Sequence, residues 1–146
     1  MGKLSDEHYT PKWLFDSLGV QFDLDVSAPD GGVPWIPVKR YFTEADNGLE
    51  QPWSGNVWMN PPYSKVTPWV DKFLENGEGI CLLVVSRSKW FARLWAAADG
   101  IIPSPPDMKF ERPDGIKPAG ISYQTFLFAL GEGNAQALRN LNGRVR

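Results

Sequence analysis

The stretch Ile80-Cys81-Leu82-Leu83-Val84-Val85 is the longest uninterrupted apolar run in the chain, and it decides the fold class. Helical patterns precede and follow it, with apolar side chains at Trp69, Val70 and Phe73 before the run and at Trp90, Phe91 and Leu94 after it. A fully apolar strand between two helices is typical of a parallel sheet that helices cover on both faces. The run therefore predicts an α/β domain. It is also far shorter than the roughly 20 residues of a membrane span.

Proline and glycine divide the rest of the chain into further helices and strands. Thr-Pro pairs are predicted to cap and open two of the helices, and a glycine is predicted to end three of them. The predicted helices run from Thr10-Pro11 to Gly19, from Thr67-Pro68 to Gly77, from Ser88 to Gly100 and from Asn134 to Leu141. The other predicted strands are Gln21 to Val26, Val38 to Phe42, Asn56 to Met59, Met108 to Glu111 and Tyr123 to Leu130. The five prolines between Gly100 and Gly120 predict a long loop or an irregular hairpin, and long loops are often functional.

Length, composition and cysteine count exclude several classes of protein. A chain of 146 residues with 42% hydrophobic residues is expected to form one soluble domain that buries about two thirds of its unfolded surface. The single cysteine, Cys81, permits no intrachain disulfide, and with His8 as the only histidine a Cys/His metal site is not expected. The first residues, MGKLSDEHY, lack the apolar stretch of a signal peptide, so a cytoplasmic protein is expected.

Charge is distributed unevenly along the chain. Residues 1–50 contain four Lys/Arg and nine Asp/Glu, whereas residues 51–146 contain eleven and eight. The second part is therefore the one suited to face phosphate. Arg139, Arg144 and Arg146 form a basic terminus, for which a solvated tail is the more ordinary interpretation than nucleic-acid contact.

The motif Asn60-Pro61-Pro62-Tyr63-Ser64 directly follows the apolar stretch Val57-Trp58-Met59. Two prolines after a strand form a stiff exit without backbone donors, which leaves carbonyl groups free to accept hydrogen bonds. Ligands of open α/β sheets bind outside the carboxyl ends of the strands, where this turn is predicted to lie. An ordinary loop is the alternative, because Pro105-Pro106 occurs without any such context.

Asn-Pro-Pro-Tyr after a strand resembles the catalytic signature of S-adenosylmethionine-dependent amino-group methyltransferases. The chain as a whole resembles the short phage-type DNA adenine methyltransferases that act on the N6 amino group. The resemblance implies a minimal, truncated Rossmann-like fold with a mostly parallel sheet flanked by helices, and residues 1–146 as one catalytic domain without a separate target-recognition domain. The matching stretches are 7–13, 22–25, 46–49, 52–53, 57–64 and 88–91.

The resemblance assigns the chemistry to Asn60, Pro61, Pro62 and Tyr63. It implies that the Asn60 side-chain oxygen and the Pro61 carbonyl accept the hydrogens of the adenine amine, which then attacks the methyl group as a pyramidal nitrogen. Tyr63 is expected to stack on a base flipped out of the duplex, and Pro62 to stiffen the turn. Positioning and fixed dipoles then carry catalysis, without a metal or a covalent intermediate.

Binding of S-adenosylmethionine is implied for residues in three other segments. Asp25 matches the acidic residue of an Asp-x-x-x-Gly-x-Gly turn, but Pro29 replaces the first glycine and only Gly31 matches the second. About a dozen residues separate Asp25 from the next predicted strand, so the helix usually found there is expected to be short or absent and the pocket open. The expected cofactor residues are Tyr9, Thr10, Pro11, Asp25, Ser27, Gly31 and Asp46. Ordinary turn-forming and capping roles are the alternatives for Asp25, Thr10-Pro11 and Asp46.

DNA contacts are expected from Ser64, Lys65, Arg87, Lys89 and Trp90, which follow two strands that end on the same rim of the sheet. A place in the core is the alternative for Trp90. With no separate recognition domain, specificity is expected to be modest, encoded in loops or shared across a dimer, so the protein is expected to be a monomer or a homodimer. An amide or RNA-base methyltransferase and a non-catalytic nucleic-acid-binding module are the alternative functions. If the gene belongs to a phage, the protein acts in the cytoplasm of the bacterial host.

Overall fold

The structure is a computed structural model that describes residues 10–106, 108 and 124–145, the last four by their backbone only. The strands are β1 (Phe22–Asp25), β2 (Val38–Tyr41), β3 (Val57–Met59), β4 (Gly79–Val84), β5 (Gly100–Pro103) and β6 (Thr125–Leu130). The helices are α1 (Lys12–Leu18), α2 (Val66–Asn76), α3 (Lys89–Ala97) and α4 (Glu132–Val145). Two 3₁₀ turns, Glu44–Asp46 and Gly48–Glu50, follow β2. The predicted α/β class is confirmed.

The six strands form one sheet in the order β2-β1-β3-β4-β6-β5. The first four strands in this order are parallel to one another, β6 is antiparallel to β4, and β5 is antiparallel to β6. The mostly parallel sheet is therefore confirmed. From β1 the chain passes first to β2 on one side and then to β3 on the other, so the strand order reverses at β1. The crevice outside the carboxyl ends of β1 and β3 is the place where open α/β sheets bind ligands.

The side chains of β4 show why the apolar run needs cover on both faces. Ile80 and Leu82 pack with α1 and α4, whereas Cys81 and Leu83 pack with α2 and α3, and all four are fully buried. Each such side chain contributes about 1.5–3 kcal/mol through burial. Burial also raises the pKa of the Cys81 thiol, so this cysteine is a packing residue. Within the described ranges no helix is long and apolar enough to cross a membrane.

Glycine ends α1 and α2 as predicted, but the predicted starts of both helices are wrong. Gly19 and Gly77 adopt the left-handed conformation at the two C-caps. At the start of α1 the capping position is Pro11, and no side chain caps it. α2 begins at Val66, so the Thr67-Pro68 pair lies within its first turn. Because first-turn N–H groups have no intrahelical acceptor, proline fits several positions there, and the sequence does not distinguish among them.

The third helix and the loop after it were predicted with the wrong boundary. α3 ends at Ala97, and Gly100–Pro103 pairs with β6 as a strand. Gly100 therefore does not end a helix; a Cβ there would lie 3.0 Å from Ala135 of α4, so the glycine allows close packing. Of the predicted strand from Met108 to Glu111 the structure describes only Met108, which is not in a strand. Most of the predicted loop to Gly120 also lies outside the described residues, while α4 extends beyond the predicted Asn134 to Leu141 at both ends.

The connection from β1 to β2 is described throughout and contains no helix, as expected from its length. It turns at Pro29, where the carbonyl oxygen accepts a hydrogen bond of 2.9 Å from the N–H of Gly32. Gly31 occupies the third position of this turn with φ +80°. That is the position of a type II turn that requires glycine. Pro29 opens the turn and needs no positive φ, which is how the loop forms without the first glycine of the expected pattern.

Candidate active site

One edge of the sheet gathers the predicted site residues that the structure describes. Asp25 ends β1, Asn60 follows β3, and Arg87 follows β4, and these strands are parallel. Only three residues join α1 to β1, so the helix runs antiparallel to the strand and Thr10 lies toward the same edge. Asp46 belongs to the turns that follow β2. Tyr9 lies outside the described residues.

A hydrogen bond ties the loop after β1 to the turn after β3. The Ser27 hydroxyl donates to the backbone oxygen of Asn60 at 2.9 Å, and the Ser27 N–H donates to Asp25 Oδ1 at 3.2 Å. The predicted cofactor loop and the predicted catalytic turn are therefore one connected unit. No sequence signal indicates this contact, because 33 residues separate its two partners.

The turn after β3 carries two unused hydrogen-bond acceptors on consecutive residues. Asn60 is half-buried and Pro61 buried, and within the described chain no hydrogen bond uses the Asn60 side-chain amide or the Pro61 carbonyl. Pro62 and Tyr63 are half-buried, and Ser64 and Lys65 are exposed. The turn thus rises from the core to the surface over six residues and is anchored at Asn60 by Ser27.

Asp25 is a buried carboxyl group, 3% exposed. Burial raises its pKa to about 7, and the hydrogen bond from the Ser27 N–H offsets only part of this effect. Among the described residues no basic side chain pairs with it. A buried acid that pays a desolvation cost without a cationic partner is typical of a site that receives a positively charged ligand.

Thr10 contributes a second unusual polar group. Its side chain is 2% exposed, and its hydroxyl oxygen has no hydrogen-bond partner in the described part of the chain. Leaving such a group unpaired costs about 1–3 kcal/mol, which a ligand atom at this position would recover. The Thr10 carbonyl accepts a hydrogen bond of 2.8 Å from the Trp35 indole. Trp35 was not predicted to belong to the site, because its contact with Thr10 is tertiary.

Asp46 lies in an Asp-Asn-Gly turn, and a turn-forming role was one of the two interpretations of this residue. It is exposed, and its Oδ2 accepts hydrogen bonds from the Thr43 N–H at 2.8 Å and the Thr43 hydroxyl at 3.1 Å. Asn47 adopts φ 55°, as such turns require. The contact of Asp46 with a cofactor stays a prediction.

Gly48 holds the same turn tightly against the loop after β1. A Cβ on Gly48 would lie 2.3 Å from the Val26 carbonyl oxygen. The Gly48 carbonyl in turn accepts a 2.8 Å hydrogen bond from the indole of Trp53, which stacks on Trp69 of α2. The sequence signalled a turn here but not that the turn packs against the neighbouring loop.

The predicted DNA-contact residues divide into exposed and buried ones. Ser64, Lys65, Arg87 and Lys89 are exposed. Trp90 is only 7% exposed and packs on Phe91 with ring centroids 5.7 Å apart, which is the core alternative. The ring therefore offers little surface to DNA, and a DNA contact of Trp90 stays a prediction. The described residues contain no group of three or more His, Cys, Asp or Glu side chains that could hold a metal ion.

Comparison with known proteins identifies a family and a relative of this chain. The family model described as "DNA N-6-adenine-methyltransferase (Dam)" matches residues 2–103, which include every predicted site residue. The DNA N-6-adenine-methyltransferase of Haemophilus phage HP1 (strain HP1c1) is 37% identical over 93 residues, which cover 56% of this chain and 52% of that protein. The chain thus spans about half the length of this curated relative. No solved structure matches the chain.

Proposed function

Since the chain belongs to the DNA N-6-adenine-methyltransferase family, we propose that it transfers a methyl group from S-adenosylmethionine to the N6 amino group of adenine in DNA. The observation that carries the proposal is the pair of acceptors at the carboxyl edge, the Asn60 side-chain oxygen and the Pro61 carbonyl. Both are adjacent in a stiff turn, and neither is used by the described protein. If the gene belongs to a phage, as that of the Haemophilus phage HP1 relative does, the reaction takes place in the cytoplasm of the bacterial host.

Two acceptors suit the amino group of adenine because its lone pair is delocalised into the ring. Asn60 and Pro61 each accept one amine hydrogen, which draws the nitrogen toward a pyramidal geometry and localises the lone pair. The Ser27 hydroxyl fixes the Asn60 backbone oxygen and with it the peptide that precedes Pro61. Preorganised dipoles of this kind act without a reorganisation cost at the moment of reaction. Tyr63 is assigned to stack on the flipped base, and Pro62 to stiffen the turn.

The polar groups at the edge fit S-adenosylmethionine, which supplies a methyl group activated on a positively charged sulfur. The Asp25 carboxylate would balance the positive charge of this ligand, and the unpaired Thr10 hydroxyl would bind one of its polar atoms. No helix lies between β1 and β2, so this side of the crevice is expected to be open. The remaining predicted cofactor residues belong to the same proposal; they are Tyr9, Pro11, Ser27, Gly31 and Asp46.

The exposed basic residues on the rim are assigned to the phosphates that flank the target base. Lys65 follows the catalytic turn, Arg87 lies between β4 and α3, and Lys89 is the first residue of α3. The Ser86 hydroxyl accepts a hydrogen bond of 3.0 Å from the Ser88 N–H, which orders the segment that carries both. Phosphate contacts position a protein on DNA and make binding salt-dependent.

Methyl transfer from labelled S-adenosylmethionine tests this function. The purified protein is incubated in parallel with duplex DNA, single-stranded DNA, RNA and a protein mixture, and the label is identified by nucleoside and amino-acid analysis. We expect it in N6-methyladenine from DNA. Label in RNA bases or in amide side chains would instead support the alternative methyltransferases. A folded protein that binds the cofactor but labels no substrate would contradict the proposal, and one that binds DNA without binding the cofactor would be a non-catalytic module.

Ser27→Ala is expected to lower kcat about tenfold, because loss of one hydrogen bond worth about 1.4 kcal/mol releases the turn that positions the acceptors. The Kd of S-adenosylmethionine is expected to change less, and Ser27→Thr, which keeps the hydroxyl, is expected to restore most of kcat.

Ser104→Ala is the matched control for this variant. Ser104 is also half-buried, and its hydroxyl accepts a hydrogen bond of 2.7 Å from the Thr125 hydroxyl. Both alanine variants are expected to lower the melting temperature by similar amounts, but only the Ser27 variant to lower kcat. Equal effects on kcat would show that Ser27 acts through overall stability.

A further inference from the structure

Aromatic rings form a surface between α3 and β6 that the proposed chemistry does not use. Trp95 and Phe91 stack with ring centroids 5.9 Å apart, and Phe126 packs edge to face on both, at 5.8 and 6.0 Å. Phe128 lies beneath them, fully buried, whereas Trp95 is 49% exposed. We call Phe91, Trp95 and Phe126 the aromatic surface. Phe91 and Phe126 are half-buried, so Trp95 carries most of the exposed area, and an exposed ring backed by other rings is a candidate interaction site.

The aromatic surface begins at the same edge of the sheet as the proposed catalytic turn. β6 starts where β4 ends, and Leu83 pairs with Phe126. Only β4 lies between β3 and β6, so Phe126 is about 10 Å from the line of β3, which Asn60 directly follows. That distance equals roughly three stacked bases at about 3.4 Å each. Nucleotides next to a target held at Asn60 can therefore reach these rings.

The charges near the aromatic surface indicate which kind of partner it binds. Residues 79–98 contain three cations, Arg87, Lys89 and Arg93, and no Asp or Glu. Arg93 pairs with Asp71 of α2 at 2.6 Å, whereas Arg87 and Lys89 are exposed and form no ion pair within the described chain. Residues 100–106 and 124–130 carry no charged side chain. Arg87 and Lys89 lie at the edge of the sheet where β6 begins, whereas Asp99, which follows α3, accepts a hydrogen bond from the Gly131 N–H at the end of β6. Aromatic faces and unpaired cations at one edge are complementary to bases and phosphates.

We propose that the aromatic surface binds an unpaired nucleic-acid strand through base stacking. Bases within a duplex stack on each other and offer no free face, whereas unpaired bases do. An unpaired target also avoids most of the energy needed to extrude a base from a helix. The choice of DNA as the methylated strand rests on the proposed function; the stacking contact itself does not.

Fluorescence anisotropy with a labelled 12-nucleotide single strand and the matching 12-base-pair duplex tests the proposal, at fixed salt and without cofactor. Trp95→Ala and Trp95→Gln are expected to weaken single-strand binding about 5- to 100-fold, which is the range for loss of one stacking contact. Trp95→Phe, which keeps a ring, is expected to retain most of the affinity. Duplex binding is expected to change less than twofold in all three variants.

Trp13→Ala is the matched control, because Trp13 is 36% exposed on α1, which packs on the opposite face of the sheet. It is expected to leave both affinities within twofold. Equal losses for single strand and duplex, or no loss for either, would overturn the proposal. So would wild-type dimers that dissociate on Trp95→Ala, since a second copy would then occupy the surface. The assay needs no methyl transfer, so a protein that methylates duplex DNA but fails this test refutes the stacking site alone.

Discussion

Asn60→Ala is expected to lower methyl transfer to adenine by about 10²- to 10³-fold, the effect typical of removing one preorganised polar group from a reacting centre. Asn60 supplies one of the two acceptors, and without it the amine keeps its planar, unreactive geometry. The side chain makes no other hydrogen bond among the described residues, so its removal leaves the fold intact. The rate is measured in single turnovers with labelled cofactor, and the Kd of S-adenosylmethionine is expected to stay within about twofold.

Asn76→Ala provides the control for this variant. Asn76 ends α2 at the opposite edge of the sheet, and its amide donates to the carbonyls of Gly55 and Glu78 at 3.0 and 2.9 Å. Its loss is expected to lower the melting temperature without changing the rate of methyl transfer. A rate for Asn60→Ala within threefold of wild type would remove the basis for the proposed mechanism.

The strands that were predicted correctly are those that their own hydrophobic pattern identifies without reference to a pairing partner. The six apolar residues around Leu82 need burial on both faces, and no local alternative satisfies that need. β5 has only two consecutive isoleucines between a glycine and a proline, and it becomes a strand because Ile102 pairs with Leu127. Pairing with β6 determines the structure of β5, whereas the prolines in and after this segment, taken alone, predicted a loop.

The candidate site shows the same limit. The Asn-Pro-Pro-Tyr motif and the resemblance to the methyltransferases located Asn60, Asp25 and Thr10, and each of them follows or precedes a recognisable element. The hydrogen bond from Ser27 to Asn60 and the close approach of Gly48 to Val26 join segments that are distant in sequence. Neither leaves a local pattern. The sequence therefore indicated which residues lie at the carboxyl ends of the strands, whereas only the structure shows the contacts that hold them in place.

Asp25→Asn is expected to stabilise the free protein while it removes most of the affinity for S-adenosylmethionine. In the folded protein burial raises the pKa of Asp25 from 3.8 to about 7. Below pH 3.8 the carboxyl is neutral in both states and costs nothing. Between pH 3.8 and 7 the unfolded chain ionises first, so stability falls as pH rises, by an amount on the order of 4 kcal/mol above pH 7. Asparagine carries no charge to desolvate and can still accept the Ser27 hydrogen bond.

The stabilisation is therefore expected to grow with pH. Thermal melts should show little difference between Asp25→Asn and wild type at pH 4 and a melting temperature higher by about 5–15 °C in the variant at pH 8. Asp23→Asn, two residues earlier in β1, is the control of opposite sign. Hydrogen bonds from the Asn56 N–H and from Lys39 lower the pKa of Asp23, so its charge stabilises the fold above pH 3.8 and this stability is lost as pH falls. Asp23→Asn is expected to lower the melting temperature at pH 8 and to leave cofactor binding unchanged.

The affinity for S-adenosylmethionine is expected to rise with pH over the same range in which the stability of the free protein falls. A positively charged ligand needs the Asp25 carboxylate ionised, and below a pKa of about 7 the free protein must first lose that proton. The Kd of wild type is therefore expected to rise about tenfold from pH 8 to pH 6, whereas the Kd of Asp25→Asn is expected to be high and independent of pH. Calorimetry at the two pH values measures both. A destabilised Asp25→Asn variant that still binds S-adenosylmethionine would show that this buried carboxyl serves the fold. A stabilised variant without affinity would show that the fold tolerates a costly charge because the ligand needs it.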